Sequence, residues 1–256
     1  MRLLGGGGCL LRVIIVRGDA AERTSHRGRE ARRRAGNVCG RRQTAATRCA
    51  LQHRQIRGLY VIIDPGACAG RSPAEVARMA LDGGAQVVQW RDKRRDKGDQ
   101  LDDARAIRAL CRTHGATFIV NDHADLALAV GADGVHVGQH DLPLGAVRPI
   151  VGSMMIGVST NTVGEARRAE AAGADYVAVG AIFPTRSKDL TRAASLERLR
   201  EVRGAVRIPV VAIGGIGASN ISDVVAAGAD AAAVISAVCG AASPERAARE
   251  LTAAFR

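Results

Sequence analysis

One motif returns four times and constrains the fold more than any other feature. Gly-Ala followed by a polar residue opens an apolar run in GGAQVV (83–88), GADGVHVG (131–138), GADYVAVG (173–180) and GADAAAVI (228–235). In each, glycine suits the left-handed residue that closes a helix, and a buried strand begins directly after it. Between these echoes lie further apolar runs and Ala/Arg/Glu-rich helical patterns. The expected strands are 59–64, 86–91, 117–120, 134–137, 155–159, 176–179, 209–213 and 231–235. Helical stretches are expected near 72–82, 98–113, 123–130, 143–150, 162–172, 194–203, 218–227 and 243–254. Continuous β-rich runs alternating with helices indicate a parallel sheet covered by helices. The echoes fall on every second strand, so the unit of repetition is a pair of strands. Eight such units predict an α/β (β/α)8 TIM barrel. An open doubly wound sheet is the alternative, but no G-x-G-x-x-G follows the first strand.

The charge separates the chain into two parts, 1–57 and 58–256. Residues 1–57 hold 14 arginines against Asp19, Glu22 and Glu30, a net of +11 out of the total +12. The barrel segment 58–256 is therefore almost neutral, and its surface gives no basis for a nucleic-acid face. Aromatics at 2% also argue against base stacking. The segment 1–57 fits a secretory signal or a transit peptide poorly: glycines and Arg12 break its apolar run, and Ser25 is its one serine. It is expected to be a structureless Arg-rich extension or an upstream start assignment. The six cysteines show no C-x-x-C spacing and are expected as free thiols in a reducing, cytoplasmic setting. No run reaches the roughly 18 apolar residues of a membrane span.

In such a barrel the chemistry lies past the carboxyl ends of the strands. Asp133, Asp175 and Asp230 precede strands and are expected to be structural. Asp64, Gln89, Arg91, Lys93, Asn121, Asp122, Gln139, Asp141, Ser159, Thr185, Lys188, Gly214, Gly215 and Ser236 fall at or just past strand ends. Gln89 and Arg91 are two apart and share a face. With Lys93 they offer a planar fork and a point cation suited to a phosphorylated ligand. A solvated charge run is the alternative, since Arg94 to Lys97 continue it. Asp122 and Asp141 follow neighbouring strands and can reach one ion; sparse oxygen ligands on a rim favour Mg2+ over zinc. Asp122 also fits a helix N-cap. His123 and His140 read as surface residues, and His136 as a core histidine or weak substrate contact. The loop 184–188 carries hydroxyls and a lysine able to close over an anion. The ends of strands seven and eight offer glycine N–H groups and a helix start, the usual phosphate site of the fold.

These segments together resemble the thiamine-phosphate synthase family. The carriers are LYVIID (59–64), QWRDK (89–93), FIVNDHADLALAVGADGVHVGQHDLP (118–143), IGVST (156–160), ADYVAVGAIFPTRSK (174–188), VVAIGGI (210–216) and AVIS (233–236). The resemblance implies that a pyrimidine diphosphate and a thiazole phosphate are joined to give thiamine phosphate and pyrophosphate. It implies that Gln89, Arg91, Lys93 and Asn121 contact the pyrimidine diphosphate, that Ser159 and Lys188 meet the same substrate, and that Asp122 and Asp141 hold Mg2+. Lys188, Ser159, Arg91 and Lys93 would be the catalytic groups. Thr185, Ser187, Gly215, Ile235 and Ser236 would hold the thiazole phosphate. Asn161 stands where the family often has histidine, Ala181 where it has proline, and Ser187 where threonine is usual. These changes bear on loop geometry and leave the reaction in place. The absence of a Ser-His or Cys-His constellation agrees with chemistry that needs no protein nucleophile. Two other readings are a thiazole tautomerase of the same superfamily, and binding of nucleic acid or membrane through the basic extension. Small-molecule partners, and a chain free to form a homo-oligomer, complete the expectation.

Overall fold

The structure, a computed structural model, describes residues 55–184 and 194–256. Residues 1–54 of the extension expected over 1–57, and the candidate residues Thr185, Ser187 and Lys188, lie outside the described residues. Eight strands form a closed parallel barrel in sequence order: β1 Gly58–Ile63, β2 Val87–Trp90, β3 Thr117–Asn121, β4 Gly134–Val137, β5 Met155–Thr160, β6 Tyr176–Gly180, β7 Val210–Ile213 and β8 Ala231–Val234. Closure is made by β1 against β8, with Gly58 opposite Ala231 and Val61 opposite Val234. That pairing excludes the open-sheet alternative. Helices follow the strands: α1 Pro73–Asp82, α2 Lys97–His114, α3 Ala124–Val130, α4 Leu144–Val151, α5 Val163–Ala171, α6 Leu196–Ala205 and α7 Ile221–Ala226. After β8 come a four-residue turn of helix, α8 Ser236–Cys239, which the sequence pattern did not reveal, and then α9 Pro244–Thr252.

Local chemistry places the helix starts. Ser72, Thr162, Ser195 and Ser243 each accept a backbone N–H from the first turn of the helix they precede. Glu165 reaches back to accept the Asn161 N–H at 2.6 Å, one residue before the Thr162 cap. The strands alternate their side chains between two cores. Val61, Ile63, Val88, Trp90, Phe118 and Val120 pack outward against the helices. Tyr60, Ile62, Val87, Ile119, Met155, Tyr176 and Val211 fill the barrel interior.

The repeated motif has a mechanical role. Asp133 Oδ2 accepts the Phe118 N–H at 2.9 Å, Asp175 Oδ2 accepts Ile156 N–H at 2.8 Å, and Asp230 Oδ2 accepts Val210 N–H at 2.8 Å. Each carboxylate at the foot of an even strand thus secures the start of the odd strand before it. An arginine from the helix preceding that odd strand pairs with the same carboxylate: Arg108 with Asp133, Arg148 with Asp175, Arg203 with Asp230. In the first repeat Gln86 takes the position, and its Oε1 accepts the Leu59 N–H at 3.1 Å. No described helix precedes β1, and the acceptor there is neutral, so no carboxylate is left without its arginine. The structural role expected for the three aspartates is what the structure has. Asp133→Ala should destabilise the fold by about 1–3 kcal/mol by stranding a strand amide and Arg108. Thermal unfolding and hydrogen exchange at the Phe118 amide measure this; unchanged protection there would contradict it.

Candidate active site

The carboxyl ends of the strands surround a cleft lined by Tyr60, Gln89, Arg91, Asn121, His136 and Tyr176 on one side and by apolar residues including Ile213 and Ile235 on the other. Gln89, 3% exposed, points into the barrel from β2. Arg91 follows two residues later and lines the same cleft, as the strand period requires. Its guanidinium pairs with Asp64 at the end of β1, and Asp64 also accepts the Gly66 N–H at 2.9 Å. The Arg91 Nε is buried and has no hydrogen-bond partner among the described residues, leaving a donor for a ligand.

Lys93, with its side chain 55% exposed, reaches over the rim and sits 3.3 Å from Asp122. The rest of this charged run is ordered rather than merely solvated. Asp92 is buried and accepts the Arg94 and Arg95 N–H groups, while Arg95 also pairs with Asp103 and lies 5.6 Å over the Trp90 ring. Those links fix the loop that carries Arg91 and Lys93, a device that the sequence did not expose.

Asp122 and Asp141 converge. Asp122 has φ +62° and its N–H bonds the His136 carbonyl at 2.8 Å, which turns it away from the helix; His123 occupies the N-cap position of α3. The N-cap alternative for Asp122 is therefore incorrect. Asp141 Oδ2 accepts the Gly138 N–H at 2.7 Å. Burial, and then a hydrogen bond shared with Asp141, raise the Asp122 carboxyl above its ordinary range. Burial pushes Asp141 the same way, but the Gly138 N–H and the Asp122 hydrogen bond outweigh it and hold Asp141 below its ordinary value. The two carboxylates thus crowd their charge onto one spot of the rim. This is an arrangement that a divalent cation relieves, and the donors are oxygens alone, as a hard cation prefers. No group of three or more His, Cys, Asp or Glu among the described residues makes a closed cage, so the pair leaves coordination positions for water and phosphate oxygens.

Opposite the charged rim, polar side chains run through the barrel interior. Gln89 Nε2 donates to Tyr60 Oη at 2.7 Å; Tyr60 Oη lies 3.1 Å from Tyr176 Oη; Tyr176 Oη lies 3.1 Å from His136 Nδ1; and His136 Nε2 lies 2.9 Å from Ser159 Oγ. His136 also stacks on Tyr176, ring centroids 5.5 Å apart. It is thus both a core histidine and a wall of the cleft. Ser159 is fixed from behind by Gln139, whose amide donates to the Ser159 carbonyl. Neither tyrosine was marked by the sequence, where both look like ordinary strand aromatics. His140 is exposed and His123 lies at the rim without joining the carboxylate pair.

On the far side, Gly214 and Gly215 take φ +99° and +65°. A methyl group at Gly215 would lie 2.6 Å from the Pro184 carbonyl, so this approach demands glycine. Ile235 lines the cleft, and Ser236 opens α8 at an exposed position. No described helix is long and apolar enough to cross a membrane.

Comparison with known proteins agrees with this geometry. Residues 59–238 match the family described as thiamine monophosphate synthase. The chain is 51% identical over 195 residues to the thiamine-phosphate synthase of Moorella thermoacetica, covering 75% of this chain and 93% of that one. The Chloroflexus aurantiacus thiamine-phosphate synthase is 47% identical over 196 residues, 76% of this chain and 91% of its own. The structure of thiamine phosphate pyrophosphorylase from Pyrococcus furiosus superposes with TM-score 0.72 at 40% identity, over 77% of this chain and 95% of that chain.

Proposed function

The chain belongs to the thiamine monophosphate synthase family and is a transferase of thiamine biosynthesis, and we propose that its barrel joins an aminopyrimidine diphosphate to a thiazole phosphate. The carbon–oxygen bond between the pyrimidine methylene and the diphosphate breaks, pyrophosphate departs, and the thiazole nitrogen takes the methylene carbon. Residues 58–256 carry this chemistry. The observation that bears most weight is the convergence of Asp122 and Asp141 beside Lys93 and Arg91 at the mouth of an otherwise apolar and hydrogen-bonded cleft.

In this reading Gln89 and Asn121 orient the pyrimidine end. Arg91 and Lys93 meet the diphosphate, joined by Ser159 and by Lys188 from the loop after β6. Thr185, Ser187, Gly215, Ile235 and Ser236 hold the thiazole phosphate. Asp122 and Asp141 are the residues that would hold Mg2+, which supplies charge neutralisation to diphosphate oxygens when bound. Departure of pyrophosphate concentrates negative charge on the leaving oxygens. Cations already held in place, Arg91 by Asp64 and Lys93 by Asp122, stabilise that charge without reorganising. The apolar wall of Ile213 and Ile235 limits water at the methylene carbon, favouring transfer over hydrolysis.

The tautomerase alternative is not favoured, because an isomerase of the thiazole phosphate alone has no use for a diphosphate clamp. The test is pyrophosphate release by the full chain. It should require both heterocyclic substrates and fall to background on exhaustive chelation, returning with added magnesium. Turnover undiminished under chelation, or no pyrophosphate with both substrates present, would refute this assignment.

A further inference from the structure

The file from Gln89 to Ser159 carries a direction. A tyrosine hydroxyl has one hydrogen to give, and a neutral imidazole has one N–H. Burial raises both the Tyr60 and the Tyr176 phenols, so they stay O–H groups. With Gln89 Nε2 donating to Tyr60, Tyr60 must donate to Tyr176 and Tyr176 to His136 Nδ1. With Nδ1 accepting, the one hydrogen of a neutral His136 ring belongs on Nε2, 2.9 Å from Ser159 Oγ. Reversing the file is self-consistent too, but only as a whole. A half-reversed file leaves at least one buried hydroxyl or ring nitrogen facing a like group, at the cost of an unsatisfied polar atom.

The two directions present different ends to a ligand. In the forward direction Gln89 keeps Oε1 as an acceptor in the cleft, and the Ser159 hydrogen is left for an incoming oxygen. In reverse, Gln89 turns its amide donors to the cleft and the Ser159 hydrogen is committed to His136. We propose that Tyr60 and Tyr176 are positioning residues that couple these ends. An amino group on the heterocycle, accepted by Gln89, and an anionic oxygen, accepting from Ser159, select the same direction, so each strengthens the binding of the other. This rests on the reading that the site takes an aminopyrimidine diphosphate. It adds that recognition of the amino substituent and of the diphosphate is one cooperative event, and coupling of this kind is reciprocal. An oxo substituent in place of the amino group turns the file against the anion.

Two measurements decide it. The first uses the intact chain, 15N-labelled at histidine, with a non-cleavable methylene-bridged diphosphonate of the aminopyrimidine. The His136 ring should show the Nε2–H tautomer; the Nδ1–H tautomer would overturn the proposal. The second compares inhibition by that compound and by its oxo counterpart. A preference for the amino form of about a hundredfold in the unaltered chain should shrink about tenfold in both Tyr60→Phe and Tyr176→Phe. An unchanged preference in both variants would overturn it. Should either variant fail to fold, the tautomer of the unaltered chain alone decides the matter. Pyrophosphate release by the unaltered chain is run alongside. Its absence would strike the substrate assignment, whereas normal release with the wrong tautomer strikes the coupling only.

Discussion

Replacing Asp122 and Asp141 together with asparagine should lower pyrophosphate release by about 10^3-fold or more, with the barrel intact. Asparagine is the informative choice. Asp122 stands at φ +62°, where asparagine is tolerated and alanine adds backbone cost of about 1–2 kcal/mol. The double change removes the charge while keeping the shape of both side chains and leaves Asp141's capping of the Gly138 N–H to an amide oxygen. Stability should not fall much, because burial and the neighbouring Asp141 already disfavour the charge on Asp122. Steady-state release and a thermal unfolding curve, taken on the same preparation, separate the two effects. Activity within tenfold of the unaltered chain would remove the metal from the mechanism. A collapse in melting temperature would instead make the pair a structural element.

Gly157→Ala should lower stability markedly. A methyl group there would lie 2.0 Å from Tyr176 Cζ and 2.4 Å from its hydroxyl oxygen, so this fully buried ring would have to shift. The neighbouring strand holds Tyr176 against Gly157 in register, and its ring stacks on His136. Overpacking of this kind costs about 1–3 kcal/mol, and for a domain of this size it should lower Tm by roughly 2–12 °C. Activity should fall as well, since displacing Tyr176 breaks the polar file. Gly145→Ala is the matching control. Gly145 lies exposed in α4 with nothing within 4 Å of the added methyl, and the same substitution should leave stability unchanged or slightly raised. If both variants melted like the unaltered protein, the account of Gly157 as space made for Tyr176 would be wrong.

The barrel was legible because its signals are local. Glycine after most of the helices, an apolar run of four to six residues, and a return of the motif at alternate strands place every strand within two residues of where the structure has it. The rim residues were legible for the same reason: Gln89, Arg91, Asn121, Asp122, Asp141 and Ser159 all sit where a strand ends. What escaped is long-range. Tyr60 and Tyr176 are 116 residues apart, and nothing in either strand says that their hydroxyls meet. Asp92 read as one charge among several because its burial depends on Arg95 folding back over Trp90. The N-cap alternative for Asp122 failed on a single backbone angle, which composition does not encode. Four-residue α8 was hidden because a helix that short has no periodicity to detect.

The braces at the foot of the barrel divide the chain into four strand pairs, each tied within itself by Gln86, Asp133, Asp175 or Asp230. The joints between one pair and the next are the loops after β2, β4 and β6, and these joints carry Arg91 and Lys93, Asp141, and the segment ending in Lys188. Lys93 reaching Asp122 already spans the first joint. A diphosphate gripped from several loops at once would therefore act as a keystone, locking neighbouring quarters together from above while the carboxylates hold each quarter from below.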